Sequence, residues 1–592
     1  MFDAWLRRLS VVMEEGDLQS ISDVMEPQAY WKDILAFTWG HRTFSGREQV
    51  YKALMDTRLE IKPKNFRISP TRTPPRQVRR SGAAMIEAFF DFDTAVGSGT
   101  GFVRLLIDPD QPENSKAQLL LTTLQQIAGF EERIGDRRPT GIEYSTNFAG
   151  DNWLDKRRID QAYENRNPQV LIVGAAQSGL ILAARLRTRG IDVLVVEKLP
   201  RVGDVWRRRY HSLTLHNEVW ANSLPYMSFP PTWPTFVPKD KLAGWLEYYA
   251  EAMELNVWTS TEFVGGEYDA EKRTWIAHLK RVDGTIRTLT VPQLVLATGG
   301  VSGVPHIPSL PGIDAFDGDV IHSSKFQSGL AYSGKRAIVV GTGTSGHDIA
   351  QELYSNGARA VTMVQRSPTC VISLVPSGTM VYALYSEGPP PEDIDLITAS
   401  IPYPVLQQSY QGLTKKTCEL DRELLAGLKS AGFEVEFGSD NTGFHMLYLR
   451  RGGGYYLNVG CSDLIASKKI GIVQNRNVDQ VMANGLRMKD GQVVEADVII
   501  LATGFANQQE GVRRLLGDEV AERVGLIWGF DENNTMRNMW KRTPQERLWI
   551  MGGSFIDARL NSTFLALEII ADLYGIRSAD AGSAAGNECH VS

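Results

Sequence analysis

The stretch Gln169-Val170-Leu171-Ile172-Val173-Gly174-Ala175-Ala176-Gln177-Ser178-Gly179 decides the fold. Its first five residues read as a buried strand. Gly174 permits a tight turn, and Gly179 lets the helix that follows, from Ser178 to Arg189, lie against the sheet. That helix aims its free backbone N–H groups and positive dipole end at the turn, the geometry that seats a pyrophosphate. A second strand, Ile191 to Glu197, ends on a carboxylate about 20 residues further on, where an acid can accept the hydroxyls of an adenosine ribose. Lys198 stands beside it, and Ala176 replaces the central glycine of the usual pattern.

The device recurs. Arg336-Ala337-Ile338-Val339-Val340-Gly341-Thr342-Gly343-Thr344-Ser345-Gly346 leads into a helix from His347 to Ser355, here with all three glycines. The next strand, Ala360 to Val364, runs into Gln365-Arg366-Ser367 instead of an acid. A guanidinium with a neighbouring hydroxyl suits a 2′-phosphate, whereas a carboxylate suits an unphosphorylated ribose. Two strands also end in a shared turn, Leu296-Ala297-Thr298-Gly299-Gly300 and Leu501-Ala502-Thr503-Gly504-Phe505, and Leu548 to Gly553 ends in a double glycine. Gly504 and Gly552 are expected at the nucleotides. One chain thus holds two different dinucleotides, expected to be FAD and NADPH.

Composition sets bounds. The 592 residues predict two to four domains, 43% hydrophobic and 22% charged residues predict a sizeable core, and a net charge of −6 argues against a nucleic-acid or anionic-membrane partner. Cys370, Cys418, Cys461 and Cys589 form no CxxC pair, so no redox dithiol, disulfide framework or zinc site is expected, and a reducing, cytoplasmic setting is the plain reading. The N-terminus carries acids and no long apolar core, and no apolar run reaches membrane-spanning length.

The expected organisation is α/β: two Rossmann-like dinucleotide-binding domains preceded by a small α+β domain. Residues 1–130 read as helices (Ala4 to Glu15, Gln19 to Met25, Trp31 to Thr38, Gly46 to Met55) followed by strands (Ala84 to Asp91, Gly99 to Ile107, Lys116 to Gly129). Asp33 and His41 are read first as packing or dimer contacts. Residues 131–167 read as a polar linker, pinned at Trp153 and Leu154. The FAD-binding part is expected over 168–329 and 491–592, and the NADP-binding part over 330–490. Lys239 to Met253 is a core helix. The proline- and aromatic-rich segments Tyr210 to Pro238 and Pro376 to Tyr410 are expected to be functional excursions.

A hydride donor and a flavin in one chain leave the reduced flavin three outlets. The missing CxxC removes a dithiol; an external acceptor and molecular oxygen both stay open.

The span from Pro168 to Tyr574 resembles the flavin-containing monooxygenases. The stretch Phe316-x-Gly318-x-x-x-His322-x-x-x-Phe326 is similar to that family's fingerprint, and its end, Phe326-Gln327, differs from the Baeyer–Villiger pattern. Tyr210 to Asn217 and Pro225 to Pro238 resemble the plant YUCCA-type members. The first 130 residues resemble the SnoaL-like, nuclear-transport-factor-like domains, which dimerise or bind small apolar molecules. The resemblance implies an NADPH- and O2-dependent monooxygenase that oxygenates a small organic substrate through a flavin peroxide. A flavin reductase or a Baeyer–Villiger oxygenation stands as the alternative. It implies FAD at Gly174, Ala176, Gly179, Glu197, Lys198 and Trp206. It implies NADP at Gly341, Gly343, Thr344, Ser345, Gly346, Arg366 and Ser367, and places Asn217 and His216 near the reacting oxygen. His322 is expected to join the domains and shape the NADP cleft.

Overall fold

The computed structural model describes residues 1–16, 20–146, 148–299 and 303–576. Gln19, Gly300 and Cys589, used above, lie outside the described residues.

Two five-stranded parallel sheets carry the two glycine loops. The first runs Asn256–Trp258, Val193–Val196, Val170–Val173, Gln293–Leu296, Leu548–Ile550. The second runs Asp319–His322, Val498–Leu501, Arg336–Val340, Ala360–Gln365, Gly471–Gln474. In both, central strands are apolar on both faces because both faces are covered: in the second sheet Ala337, Val339, Val498 and Ile500 face the helix Thr344–Ser355, and Ile338, Val340, Ile499 and Leu501 face Val481 and Leu486. Each half also carries a three-stranded antiparallel meander just before its Leu-Ala-Thr-Gly strand: Thr261–Asp269 with Thr274–Arg281 and Ile286–Val291, and Val478–Met482 with Gly485–Met488 and Val493–Glu495. The repeat of motifs is therefore a repeat of architecture. The second sheet takes strands from residues 319 to 501, wider than the 330–490 expected, because Val498–Leu501 pairs with Arg336–Val340 and Asp319–His322 pairs with Val498–Leu501.

The N-terminal part is a seven-stranded sheet in the order His41–Ser45, Met25–Ile34, Lys116–Ile127, Gly97–Leu106, Ala83–Asp93, Lys64–Ile68, with Arg76–Arg80 also on Ala83–Asp93. Helices Phe2–Glu15 and Arg47–Ile61 pack against it, over buried Trp5, Trp31, Phe90, Phe92 and Phe102. The helix expected over Trp31 to Thr38 is instead the end of the strand Met25–Ile34 and a turn. Alternate residues Ala29, Trp31 and Asp33 are buried, a period of two that overrides the helical spacing of its apolar residues.

Asp33, completely buried, closes that turn. Its carboxylate accepts the Phe37 and Thr38 N–H groups (3.1 and 2.8 Å) and the Thr38 and Thr122 hydroxyls (2.8 and 2.6 Å). Burial nevertheless outweighs these bonds and pushes its pKa up to about 6. A carboxyl whose folded pKa exceeds the unfolded one stabilises fully below the unfolded value, and that contribution is lost as pH rises through the folded value. Asp33 should thus remove about 3 kcal/mol between roughly pH 4 and pH 6. Urea midpoints measured across that window should fall more steeply for the wild type than for Asp33→Asn; parallel curves would contradict the assignment.

The stretch expected as a linker contains the helix Trp153–Ala162, whose N-terminus is closed by a capping box between Asn152 and Asp155. Trp153 and Leu154 stay exposed, apart from a Trp153 Nε1–Glu254 bond of 2.9 Å. The pins are Arg157, which donates to Asn256 at 2.7 Å, and fully buried Tyr163. Between residues 391 and 420 the prolines mark helix starts, not an irregular excursion. Pro391–Ala399 and Tyr403–Leu420 both carry proline in the first turn, where its missing N–H costs nothing.

Candidate active site

The glycine loops show why each glycine is there. Gly174 has φ +110°, and a Cβ on it would lie 2.5 Å from the Ala297 carbonyl oxygen. A Cβ on Gly179 would lie 2.0 Å from the Gly174 carbonyl oxygen. The second loop repeats this: Gly341 has φ +114° with the Ala502 oxygen at 2.3 Å, and Gly346 meets the Gly341 oxygen at 2.2 Å. Ala297 and Ala502 are the alanines of the two Leu-Ala-Thr-Gly turns, so each such turn is the backing plate of one glycine loop. The middle position behaves differently. A Cβ on Gly343 meets nothing within 4 Å, and Ala176, with the same extended backbone, already carries a methyl. Open space at that position, beside the free N–H groups of a helix start, is the cradle a phosphate requires.

Glu197 is nearly buried at the end of its strand. Its carboxylate accepts the Ala175 N–H at 3.0 Å and the Leu199 N–H at 2.9 Å, which fixes it against the loop with lone pairs to spare for hydroxyls. Lys198 beside it is exposed. Gln177, which carries no motif of its own, links the elements around the first glycine loop. It accepts from Trp206 Nε1 at 3.3 Å and donates to the Gly553 carbonyl at 3.4 Å. Its only sequence signal is its place as first residue of the loop's helix. Gly552 lies 3.5 Å, measured from its would-be Cβ, from the Gly299 backbone, so both turns meet at this end of the first sheet. Trp206 stacks on Phe555, and Phe229, Trp233 and Trp245 continue the aromatic wall, with Phe229 and Trp233 centroids 4.8 Å apart.

In the second half, Thr344 turns its hydroxyl to the Tyr455 carbonyl at 3.1 Å, and Ser345 stands partly exposed beside it. Arg366 and Ser367 are exposed just past the strand Ala360–Gln365, at the same sheet edge as Gly341. Gln365, at the strand's end, is buried and its amide is spent on the Glu434 backbone, at 2.8 Å in both directions.

The three candidate catalytic residues do not converge. His216 and Asn217 are neighbours on the strand Thr214–Glu218, whose pairing with Phe236–Pro238 is irregular between Thr214 and Glu218, and they meet different partners. His216 lies within electrostatic reach of Asp348, on the second loop's helix, while Asn217 lies beside Tyr382, on the segment Thr379–Ser386 that packs against this strand. His322 sits at the end of its strand with Nε2 3.0 Å from the Gly504 carbonyl. Its Nδ1 accepts the Ser324 N–H at 3.2 Å, so Nε2 carries the proton. Burial lowers its pKa and keeps the ring neutral, as this arrangement needs. His322 thus ties the fingerprint segment to the second Leu-Ala-Thr-Gly turn. Tyr210 and Ser212, just before His216, donate to Asp348 and Glu352 and join the two halves.

The profile of the family described as "Flavin-binding monooxygenase-like" matches residues 167–385, and the chain belongs to that family. Among curated relatives it is 31% identical over 369 residues to the indole-3-pyruvate monooxygenase YUCCA1 of Oryza sativa subsp. japonica, across 62% of this chain and 83% of that protein. It is 29% identical over 345 residues to the probable indole-3-pyruvate monooxygenase YUCCA4 of Arabidopsis thaliana, across 57% of this chain and 75% of that protein. Among solved structures, an oxidized steroid monooxygenase bound to NADP shares the fold with a TM-score of 0.50 at 18% identity, covering 69% of this chain and 85% of that one. An OTEMO complex with FAD and NADP does so with a TM-score of 0.50 at 17% identity, covering 69% and 85%. FAD and NADP, the pair expected from the two loops, are the ligands of that complex. Among the described residues no helix is long and apolar enough to cross a membrane.

Proposed function

We propose that the protein is an NADPH- and oxygen-dependent flavin monooxygenase acting on a small organic substrate. The observation that carries this reading is the matched pair of loops: the same backed glycine turn twice, followed by a carboxylate in one half and a guanidinium in the other. FAD occupies the loop of Gly174, Ala176 and Gly179, with Glu197 at its ribose and Trp206 near the ring. NADPH occupies the loop of Gly341, Gly343 and Gly346, with Thr344 and Ser345 at the pyrophosphate and Arg366 and Ser367 at the 2′-phosphate. Bound flavin accepts hydride and activates oxygen; the protein orients and shields. Gln177 holds Trp206 against the double-glycine turn. The aromatic wall of Phe229, Trp233, Trp245 and Phe555 keeps water out of that corner. Asn217, braced by Tyr382, offers an amide to the reacting oxygen, and neutral His322 fixes the Gly504 turn. His216 belongs to the contact between the halves. Residues 1–130 form a SnoaL-like domain, and residues 131–167 connect it to the nucleotide-binding part.

The test is oxygen bookkeeping. With isotopically labelled dioxygen and NADPH, one labelled atom should appear in the organic product. Rapid NADPH turnover with every oxygen released as hydrogen peroxide would favour the reductase reading instead. Arg366→Ala should lower the preference for NADPH over NADH in flavin reduction by about 10- to 100-fold, the scale of one lost charged hydrogen bond. An unchanged ratio removes Arg366 from the site.

A further inference from the structure

The N-terminal sheet contains a buried carboxylate, Glu87, shared by three arginines. Arg76 and Arg80 donate to it at 2.7 and 2.9 Å, Arg104 at 2.7 Å, and its side chain is 1% exposed. Three guanidinium groups around one carboxylate leave positive charge uncompensated. It is met from outside the sheet by Glu387, which takes a two-pronged contact from Arg80 (2.6 and 2.8 Å) and a third bond from Arg76 at 2.9 Å. Six residues on, Asp393 takes Arg72 at 3.0 Å, the Thr73 N–H at 2.7 Å and the Thr73 hydroxyl at 2.5 Å, and is nearly buried. Between these two anchors lies Gly388-Pro389-Pro390-Pro391, and a run of prolines transmits position better than a flexible link. Just before them is the segment Thr379–Ser386, which packs against the strand Thr214–Glu218 that carries Asn217 and sets the phenol of Tyr385 on Asp395 at 2.5 Å.

We propose that the N-terminal domain acts as a clamp in cis: its Arg72–Arg80 edge grips Glu387 and Asp393 and so holds the segment Thr379–Ser386, with Tyr382, in place against the strand of Asn217. Glu387 and Asp393 are positioning residues for the reacting corner, acting through Tyr382. The consequence for oxygen chemistry rests on the monooxygenase reading; the clamp itself does not. With the grip loosened, Asn217 loses its brace and the corner leaks, so electrons from NADPH leave as hydrogen peroxide.

The test uses the full chain with Glu387→Gln and, separately, Asp393→Asn. Amide hydrogen exchange over residues 379–386 should quicken about ten-fold or more, as expected when one partner of a partly buried charge pair is removed. Hydrogen peroxide released per NADPH consumed should rise in the same variants, with the rate of flavin reduction by NADPH unchanged. Exchange over 379–386 that stays at the wild-type rate in both variants overturns the clamp. Faster exchange without extra peroxide overturns its service to the site. A wild-type protein that consumes no NADPH would instead sink the functional reading while the exchange result still judged the clamp.

Discussion

Gly343→Val should weaken NADPH binding by roughly 5- to 150-fold while leaving a folded, flavin-loaded protein. The backbone at Gly343 is extended (φ −77°, ψ −176°), so a branched residue can adopt it, and its Cβ would meet no protein atom within 4 Å. That open side is where the pyrophosphate is expected, so the added methyl groups crowd the ligand. A clash of this kind costs about 1–3 kcal/mol, or roughly 5- to 150-fold in affinity. The chain supplies its own control, because Ala176 occupies the equivalent place in the first loop with φ −85° and ψ −175°. Gly343→Ala should therefore lose only a few-fold, on the same scale of steric cost. Gly346→Ala should behave in the opposite way: its Cβ would sit 2.2 Å from the Gly341 carbonyl oxygen, so the loop itself cannot close and stability falls. Isothermal binding of NADP and thermal melting separate these outcomes. Weak binding in Gly343→Val caused by loss of fold would contradict the reading.

Asp395→Ala should be the most destabilising single change outside the loops. Asp395 and Arg559 are 2% and 1% exposed and form a two-pronged pair, with both bonds at 2.7 Å. Arg559 also donates to the Ala221 and Ser223 carbonyls at 2.9 and 2.8 Å, which binds the last helix to the segment that follows Asn217. Removing the carboxylate strands a guanidinium in the interior, at a cost of about 3–5 kcal/mol. The double variant Asp395→Leu with Arg559→Met should recover only part of this, because the two carbonyls lose their donor. Full recovery in a denaturant midpoint would show that those carbonyl bonds carry nothing.

What the sequence made legible was chemistry that acts within a few residues. A positive φ or a forbidden Cβ selects glycine locally, so Gly174, Gly179, Gly341 and Gly346 announce themselves, as do Glu197 and Arg366 at the strand ends. The partners that give those features meaning lie far along the chain. The alanine carbonyls backing the loops are more than a hundred residues away, Asp395 and Arg559 are 164 residues apart, and Arg80 and Glu387 are 307 apart. Short segments misled where two periods competed, as at Met25–Ile34, whose alternation shows only once one face is seen to be buried. The prolines between residues 389 and 404 read as part of an excursion, although the helices Pro391–Ala399 and Tyr403–Leu420 each carry one in the first turn. The resemblance put His216 and Asn217 at one site, whereas their surroundings differ: Asp348 lies near the one and Tyr382 near the other.

The central claim is that one chain holds both the hydride donor's fold and the resident acceptor. Anaerobic addition of NADPH to the purified protein tests it most directly. The yellow flavin should bleach in a single NADPH-dependent phase, and NADH should do so far more slowly. A protein that is colourless and takes up no FAD, or whose bound flavin stays oxidised under NADPH, would contradict it.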